Sequence, residues 1–362
     1  MLKSFFPVGW EELAQKHGAL KGLRQDKSPE KYLRVLLMHL GCGYSLRETA
    51  ARATQAGLAD LSDVALLKRL RKSKDWLHAL CRALFAERQA GPVMTHAKAL
   101  RLIDSTLVKE PGQTGSQWRI HYSLRWPGLN CDYFKLTATE GKGTGESLLH
   151  YPLRADEQVL ADCGYCRAQD FHYAAAQGAK TLIRLNSGTI RLETETGQLF
   201  PLLSRLTALT KTGQVREWPV WLPLDNATSL PVRLCVIRKN QVAIKRALKK
   251  LRRKAALNHR TLEPATLRYA EFVMVLTTFP TTEFSTTQVL EHYRFRWQIE
   301  LLFKRLKQLA QLGHLPKYDD DSSQAWLYGK LFVALLTEKL MAHARAFSPW
   351  GYALPEASKS VA

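Results

Sequence analysis

The sequence predicts an α/β protein built on a mixed sheet with flanking helices, preceded by a helical N-terminal domain. Three observations carry that reading. Residues 1–92 are patterned as helices, with apolar residues recurring every three or four positions. From about residue 96 the period shortens to two in "KALRLIDST" (98–106), "WRIHYSLRW" (118–126) and "YFKLTAT" (133–139). A strand–helix–strand succession follows in "QVLADCGY" (158–165), "RAQDFHYAAAQGA" (167–179) and "KTLIRLN" (180–186). Hairpin strands followed by strand–helix–strand make a sheet that is antiparallel in one part and parallel in another.

The N-terminal elements follow from their start signals. "SPEKYLRVLLMHLGCG" (28–43) opens on Ser-Pro-Glu, and "SLRETAARATQAG" (45–57) opens on Ser45 with Glu48 completing a capping box. "LSDVALLKRLRKSKDWLHALCRALFAER" (61–88) supplies one or two more amphipathic helices, with Lys68, Arg69, Arg71, Lys72 and Lys74 clustered. Short helices ending in a basic one fit a helix-turn-helix-like DNA-binding domain over 1–92. A plain bundle with a solvated basic face fits them nearly as well.

The sheet-bearing core is read in two parts, 93–187 and 269–312. The second part holds a buried strand, "AEFVMVLTT" (270–278), and one helix from Thr286 to Gln308. Between them, 188–268 reads as a β-rich insertion containing "VREWPVWLPL" (215–224), "LPVRLCVIRK" (230–239) and the basic helix "QVAIKRALKKLRRKAALNHR" (241–260). No acid stands between Lys239 and Arg260. A solvated face is the plain reading of that helix; uncompensated like charge favours phosphate contact through Lys249, Lys250, Arg252 and Arg253. A C-terminal helical region, 313–362, completes the chain. The glycine-rich "GKGTGES" (141–147) lacks P-loop spacing and reads as a turn.

Composition narrows the partner. The chain has 362 residues, 46% hydrophobic and 23% charged, which is enough for two or three folded domains. Lys and Arg number 53 against 32 Asp and Glu, a net charge of +21. Such an excess favours a polyanion. Nucleic acid is preferred to a membrane surface, because no terminal basic amphipathic segment with exposed aromatics is present. No apolar run reaches the roughly 18 residues of a membrane span, and "MLKSFFPVGWEEL" lacks a signal-peptide core, so a cytoplasmic protein is expected. Of six cysteines only Cys163 and Cys166 form a C-x-x-C; without a second pair, buried free thiols are expected rather than zinc.

The segment "HYRFRWQIELLFKRLK" (292–307) concentrates the chemistry. On one helix at about 100° per residue, Tyr293, Arg296, Glu300, Lys304 and Lys307 fall within a sector of roughly 80°. Phe295, Ile299, Leu302, Phe303, Leu306 and Leu309 take the opposite side. Ion pairs at i,i+4 account for Arg296–Glu300 and Glu300–Lys304, each worth roughly 0.2–0.5 kcal/mol. They do not account for an excess of cations and a tyrosine around one acid, a face that suits an anionic polymer beside a bound metal. Trp297, at its edge, fits stacking on a base and covering the core equally well. Two further acids end apolar strands: Asp104 after Leu100-Arg101-Leu102-Ile103, and Asp162 after Val159-Leu160-Ala161. Each alone fits a turn cap. With Glu300 they fit a metal site at the rim of a sheet.

The spacing Tyr293-x-x-Arg296-x-x-x-Glu300-x-x-x-x-x-x-Lys307 resembles the Tyr-Arg-Glu-Lys signature of the bacterial transposases of insertion-sequence family four. "LRLIDSTLV" (100–108) resembles that family's first-Asp strand and "VLADCGY" (159–165) its second, and the likeness extends over roughly residues 40–310. The resemblance implies an RNase H-like fold with a mixed five-stranded sheet, helices on both faces and a β-rich insertion. It implies Asp104, Asp162 and Glu300 as catalytic metal ligands for two Mg²⁺ (or Mn²⁺) ions, with Asp104 shared between them, in an in-line phosphoryl transfer. Tyr293, Arg296 and Lys307 would grip phosphates beside the scissile one, with Trp297 and Lys304 on the same face. The implied activity is cut-and-paste transposition with hairpin formation, by a homodimer on double-stranded transposon ends and target DNA at a bacterial nucleoid. Cys163 departs from the Arg frequent at that position, which removes a phosphate contact. Phe272 is the nearest residue to the aromatic that holds a flipped base in the family. Two rival readings remain: an inactive copy retained as a DNA-binding protein, which the three acids oppose, and a Holliday-junction resolvase, which the Tyr-Arg-Glu-Lys spacing opposes.

Overall fold

A computed structural model describes residues 2–23, 27–89, 100–109, 117–225, 228–308, 310–312, 315 and 319–346. The expected boundary at 92/93, Lys98 and Ala99 of the first expected strand, Leu309 of the apolar helix face, and residues 313, 314, 316–318 and 347–362 of the C-terminal region lie outside them.

Five helices come first: α1 (Trp10–Lys16), α2 (Pro29–Leu40), α3 (Leu46–Gln55), α4 (Asp63–Lys72) and α5 (Lys74–Gln89). Ser28, Ser45 and Ser62 start α2, α3 and α4, each accepting a hydrogen bond from the backbone N–H three residues on. The expected capping box at Ser45 is made on its serine side, while Glu48 pairs with Arg52 at 3.0 Å. The chain continues through β1 (Leu100–Lys109), β2 (Gln117–Trp126), β3 (Asn130–Ala138), β4 (Gln158–Ala161), α6 (Ala168–Ala176) and β5 (Lys180–Arg184). Then come α7 (Leu202–Thr207), β6 (Val215–Asp225), β7 (Thr228–Arg238), α8 (Gln241–Leu257), α9 (Pro264–Tyr269) and β8 (Phe272–Thr277). The last helices are α10 (Thr286–Tyr293), α11 (Trp297–Gln308) and α12 (Asp320–Ala346). Among the described residues no helix is long and apolar enough to cross a membrane.

The strands form one sheet in the order β3-β2-β1-β4-β5-β8-β7-β6. β1 pairs antiparallel with β2, and β2 with β3; β1–β4 and β4–β5 are parallel; the remaining pairs are antiparallel. The sheet is mixed, as expected, but among the described residues it has eight strands rather than five. The free side of β5 is taken by β8, with Ile183 opposite Leu276, and β7 and β6 follow outward. The stretch read as an insertion therefore adds strands to the same sheet. β6 carries Pro219 and Pro223, which donate no N–H; as the last named strand it tolerates them, its outer side being met at Trp221, between the two prolines, by a bridge to Glu193.

The central strands are buried on both faces and alternate between two cores. Leu100, Leu102, Leu160, Leu182 and Val275 join Trp76 of α5, Ile299 of α11 and Phe332 of α12. Ile103, Val159, Ala161, Ile183 and Leu276 join Phe171 of α6 and Leu202 of α7. α12 runs back along α5: Tyr328 stacks on His78 at 4.5 Å, Glu338 pairs with Arg88 at 2.8 Å, and Lys339 pairs with Glu87 at 2.7 Å.

The single helix expected from Thr286 to Gln308 is divided. A Ser285–Gln288 capping box starts α10, one 3₁₀ turn spans Arg294–Arg296, and α11 begins at Trp297. Three residues per turn instead of 3.6 rotates α11 relative to α10, and Phe295 in the turn stacks on Trp126 at 4.7 Å.

Candidate active site

Asp104 and Asp162 meet because β1 and β4 run parallel. Leu102 is in register with Leu160, and two residues further along each chain stand Asp104 and Asp162. An even offset sets both acids on the face of those leucines. β4 ends at Ala161, whereas β1 continues to Lys109 against β2. Asp104 therefore lies in mid-strand, not at the strand end read from sequence, at the point where its neighbour leaves the sheet. Each carboxylate is held by a backbone N–H: Ser105 donates to Asp104 Oδ1 at 2.7 Å, and Gly164 donates to Asp162 Oδ1 at 2.7 Å. Asp162 thus also caps the 3₁₀ turn Cys163–Tyr165. Burial, followed by the charge of Asp162, pushes the Asp104 carboxyl up to about 7, against the Ser105 N–H and the Arg296 guanidinium.

The third acid arrives from above. Ile299 and Phe303 seat α11 on this face of the sheet, with Phe303 edge-on to Tyr122 at 6.0 Å. Glu300 is carried on the same helix, and Arg296 links it to Asp104. The guanidinium donates to the Glu300 carboxylate and stands 3.8 Å from Asp104 Oδ2. The Arg296 side chain is 13% exposed and its Nε is buried without a partner. Its guanidinium carbon lies 5.7 Å from the Tyr293 ring, whose hydroxyl is also buried and unpartnered and is pushed well above its ordinary pKa by that burial.

Among the described residues no three acidic, histidine or cysteine side chains converge as a ready-made metal cage. Asp104 and Glu300 are joined through Arg296 instead. The donor set is nevertheless three carboxylates, hard oxygen ligands suited to Mg²⁺ or Mn²⁺, and two of them repel at close quarters without a cation.

The profile of the family described as "Transposase DDE domain" matches residues 137–336, which include Asp162 and Glu300. The transposase InsL of insertion sequence element IS186A, from Escherichia coli (strain K12), is 32% identical over 352 residues, spanning 95% of this chain and 93% of its own. The chain belongs to the insertion-sequence DDE transposases. The transposase of element IS421 from Escherichia coli is also 32% identical, over 353 residues, again spanning 95% of this chain and 93% of its own. Among solved structures, a piggyBac transposase synaptic complex with hairpin DNA aligns over 95% of this chain and 72% of that one. At 11% identity and a TM-score of 0.44, that likeness is too distant to add to the assignment.

The other residues singled out in the sequence occupy varied positions in the transposase. Lys304 and Lys307 are exposed on α11, and Trp297 is 50% exposed with Lys304 Nζ 5.0 Å from its ring. Trp297 therefore does not cover the core. Lys249, Lys250, Arg252 and Arg253 are all exposed on α8, which is anchored by buried Ile244. Phe272 is 2% exposed in the second core, with the Arg268 guanidinium 5.3 Å from its ring, so it is not free to stack on a base. Cys163 and Cys166 are free thiols; Cys42 is exposed, contrary to the expectation of burial.

Sequence reasoning missed two groups beside the site. A cavity of about 630 Å³ next to Tyr293 is lined by Arg184, Lys239, Glu291 and Arg294 with Val273 and Leu290. Lys239 donates to the Ala270 carbonyl at 2.7 Å, and burial together with the charge of Arg184 holds its amine down to about 8. These cations come from separate elements, and no local spacing links them. The second group centres on Glu146, in the turn "GKGTGES". Its Oε1 accepts from Ser105 Oγ at 2.9 Å and from Arg119 Nη1 at 3.1 Å. A carboxylate in a glycine-rich turn carries no sequence signal that separates it from a solvated one.

Proposed function

We propose that this transposase cuts and rejoins double-stranded DNA by phosphoryl transfer, with Asp104, Asp162 and Glu300 holding two Mg²⁺ or Mn²⁺ ions. The observation that carries the reading is the level placement of Asp104 and Asp162 across β1 and β4, with Glu300 joined to the same face through Arg296. Bound there, the ions would activate the attacking oxygen and stabilise the leaving one. The five strands β3-β2-β1-β4-β5 support an RNase H-like unit, to which β8, β7 and β6 are an extension. The Tyr293, Arg296, Glu300 and Lys307 spacing supports membership of insertion-sequence family four, and with it hairpin closure of the cut end and a homodimeric DNA complex.

The chain's own residues supply binding and positioning. Arg296 meets both Asp104 and Glu300, and a phosphate laid over the site competes for the same guanidinium, which can bind it in a bidentate manner. Lys304 and Lys307 extend the positive face along α11, and Trp297 offers an open ring for stacking. The cavity beside Tyr293, lined by three cations, one acid and several apolar side chains, suits one unstacked nucleotide. The test is cleavage of duplexes carrying the element's own ends in Mg²⁺. Asp104→Asn, Asp162→Asn and Glu300→Gln should each abolish cleavage and leave DNA retention in gel shifts intact, since none removes a cation. Near wild-type cleavage by any one of them would remove that residue from the centre.

A further inference from the structure

Glu146 touches the supports of both aspartates. The Ser105 hydroxyl donates to Glu146 Oε1 at 2.9 Å, and the backbone N–H of Ser105 holds Asp104 Oδ1 at 2.7 Å. On the other side, the N–H of Gly164 holds Asp162 Oδ1 at 2.7 Å. The ideal Cβ position of Gly164 lies 1.8 Å from Glu146 Oε2 and 3.1 Å from Asp162 Oδ1. Both carboxylate oxygens sit that close to one point, so they are within about 5 Å of each other. Gly164 therefore leaves the space that Glu146 fills, and a side chain there would drive the carboxylate off Ser105 and Arg119. A surface acid merely neutralising Arg119 would account for the 3.1 Å ion pair, with Glu146 29% exposed. It would not account for Oε2 resting against the Asp162 turn while Oε1 takes both hydrogen bonds.

We propose that Glu146 is a positioning residue of the catalytic centre, clamping Ser105 of β1, which holds Asp104, against the Gly164 turn that holds Asp162, and adding a fourth negative charge beside the cation site. This rests on the reading of the three acids as a metal centre. Outer residues that fix metal-ligating carboxylates typically change cation affinity by roughly 10–100-fold when removed. Glu146→Gln keeps the shape and an oxygen that accepts from Ser105, and loses only the charge. Glu146→Ala loses the clamp as well.

The experiment measures Mn²⁺ binding to the full-length protein without DNA, by calorimetry or paramagnetic resonance, and cleavage as a function of Mg²⁺ concentration. Glu146→Gln should weaken Mn²⁺ binding by roughly tenfold and raise the Mg²⁺ concentration for half-maximal cleavage by a similar factor. Its melting temperature and DNA affinity should stay close to wild type. Glu146→Ala, which loses the clamp as well, should also lower the cleavage reached at saturating Mg²⁺. Asp162→Asn is the control: if it binds Mn²⁺ like wild type, the metal centre itself is misassigned. If Asp162→Asn loses Mn²⁺ while Glu146→Gln binds it as wild type does, Glu146 is only Arg119's surface partner and the proposal is overturned.

Discussion

Two carboxylates, Asp104 and Asp162, come together at the point where β4 leaves the side of β1, and Asp104 is the buried one of the two. Asp104 bears the consequence, with its carboxyl pushed up to about 7. A folded-state pKa above the unfolded value means that the native chain binds the proton more tightly. This costs nothing below about pH 4, and stability is lost progressively as pH rises through the window from about 4 to about 7. In the metal-free protein, Asp104→Asn should therefore raise the melting temperature at pH 8, by a free energy on the order of a few kcal/mol, and should change it little at pH 4. Saturating Mg²⁺ at pH 8 should reverse the order, because only the wild type gains a ligand-bound state. Equal melting temperatures at pH 8 without metal would mean that neither burial nor the charge of Asp162 raises the Asp104 carboxyl in the folded chain. At this scale the sequence was informative where chemistry is local: both aspartates and Glu300 stand out as acids at strand ends or in a cationic row. Glu146, Arg184 and Lys239 do not, because their meaning comes from residues 20 to more than 100 positions away.

α8 exposes Lys249, Lys250, Arg252 and Arg253 together while burying only Ile244. Its seven cations have no acid on the same helix to answer them. Replacing those four by Ala should weaken DNA binding and flatten its salt dependence, the slope of log K against log salt falling by roughly 0.9 for each phosphate no longer neutralised. The fold should survive, since the four side chains are solvated. A slope equal to wild type would make α8 a solubilising surface only. Element identity was largely legible: the three period-two runs became β1, β2 and β3, the strand–helix–strand succession became β4, α6 and β5, and the charged amphipathic runs became helices. Two features were not. The 3₁₀ turn at Arg294–Arg296 differs from an α-helix by too little over three residues to alter the apolar pattern. The joining of β6 and β7 to the main sheet depends on β7 pairing with β8 some 40 residues away, which no local pattern specifies.

One core runs from the N-terminal helices through α12 to a face of the sheet. Trp10, Leu36 and Trp76 share it with Leu124, Phe134 and Leu182, and α12 contributes Trp326, Leu331, Phe332 and Leu335. Phe332 is fully buried at the junction, 6.4 Å from the Phe6 ring. The sequence divides 1–92 and 313–362 from the sheet because each stretch is helical and separated in the chain; burial of apolar surface follows contact in space, not order in sequence. If the shared core makes one cooperative unit, a cavity at the junction must be felt on both sides of it. Phe332→Ala should cost roughly 3–5 kcal/mol, and native-state hydrogen exchange should show α2, α5, β2 and β3 losing protection by the same amount. Loss confined to α2 and α5, with β2 and β3 at wild-type protection, would make the helical region a separately folding domain. A transposase of that second kind could reorient its helices on DNA without disturbing Asp104, whereas the shared core ties their position to the strand that carries it.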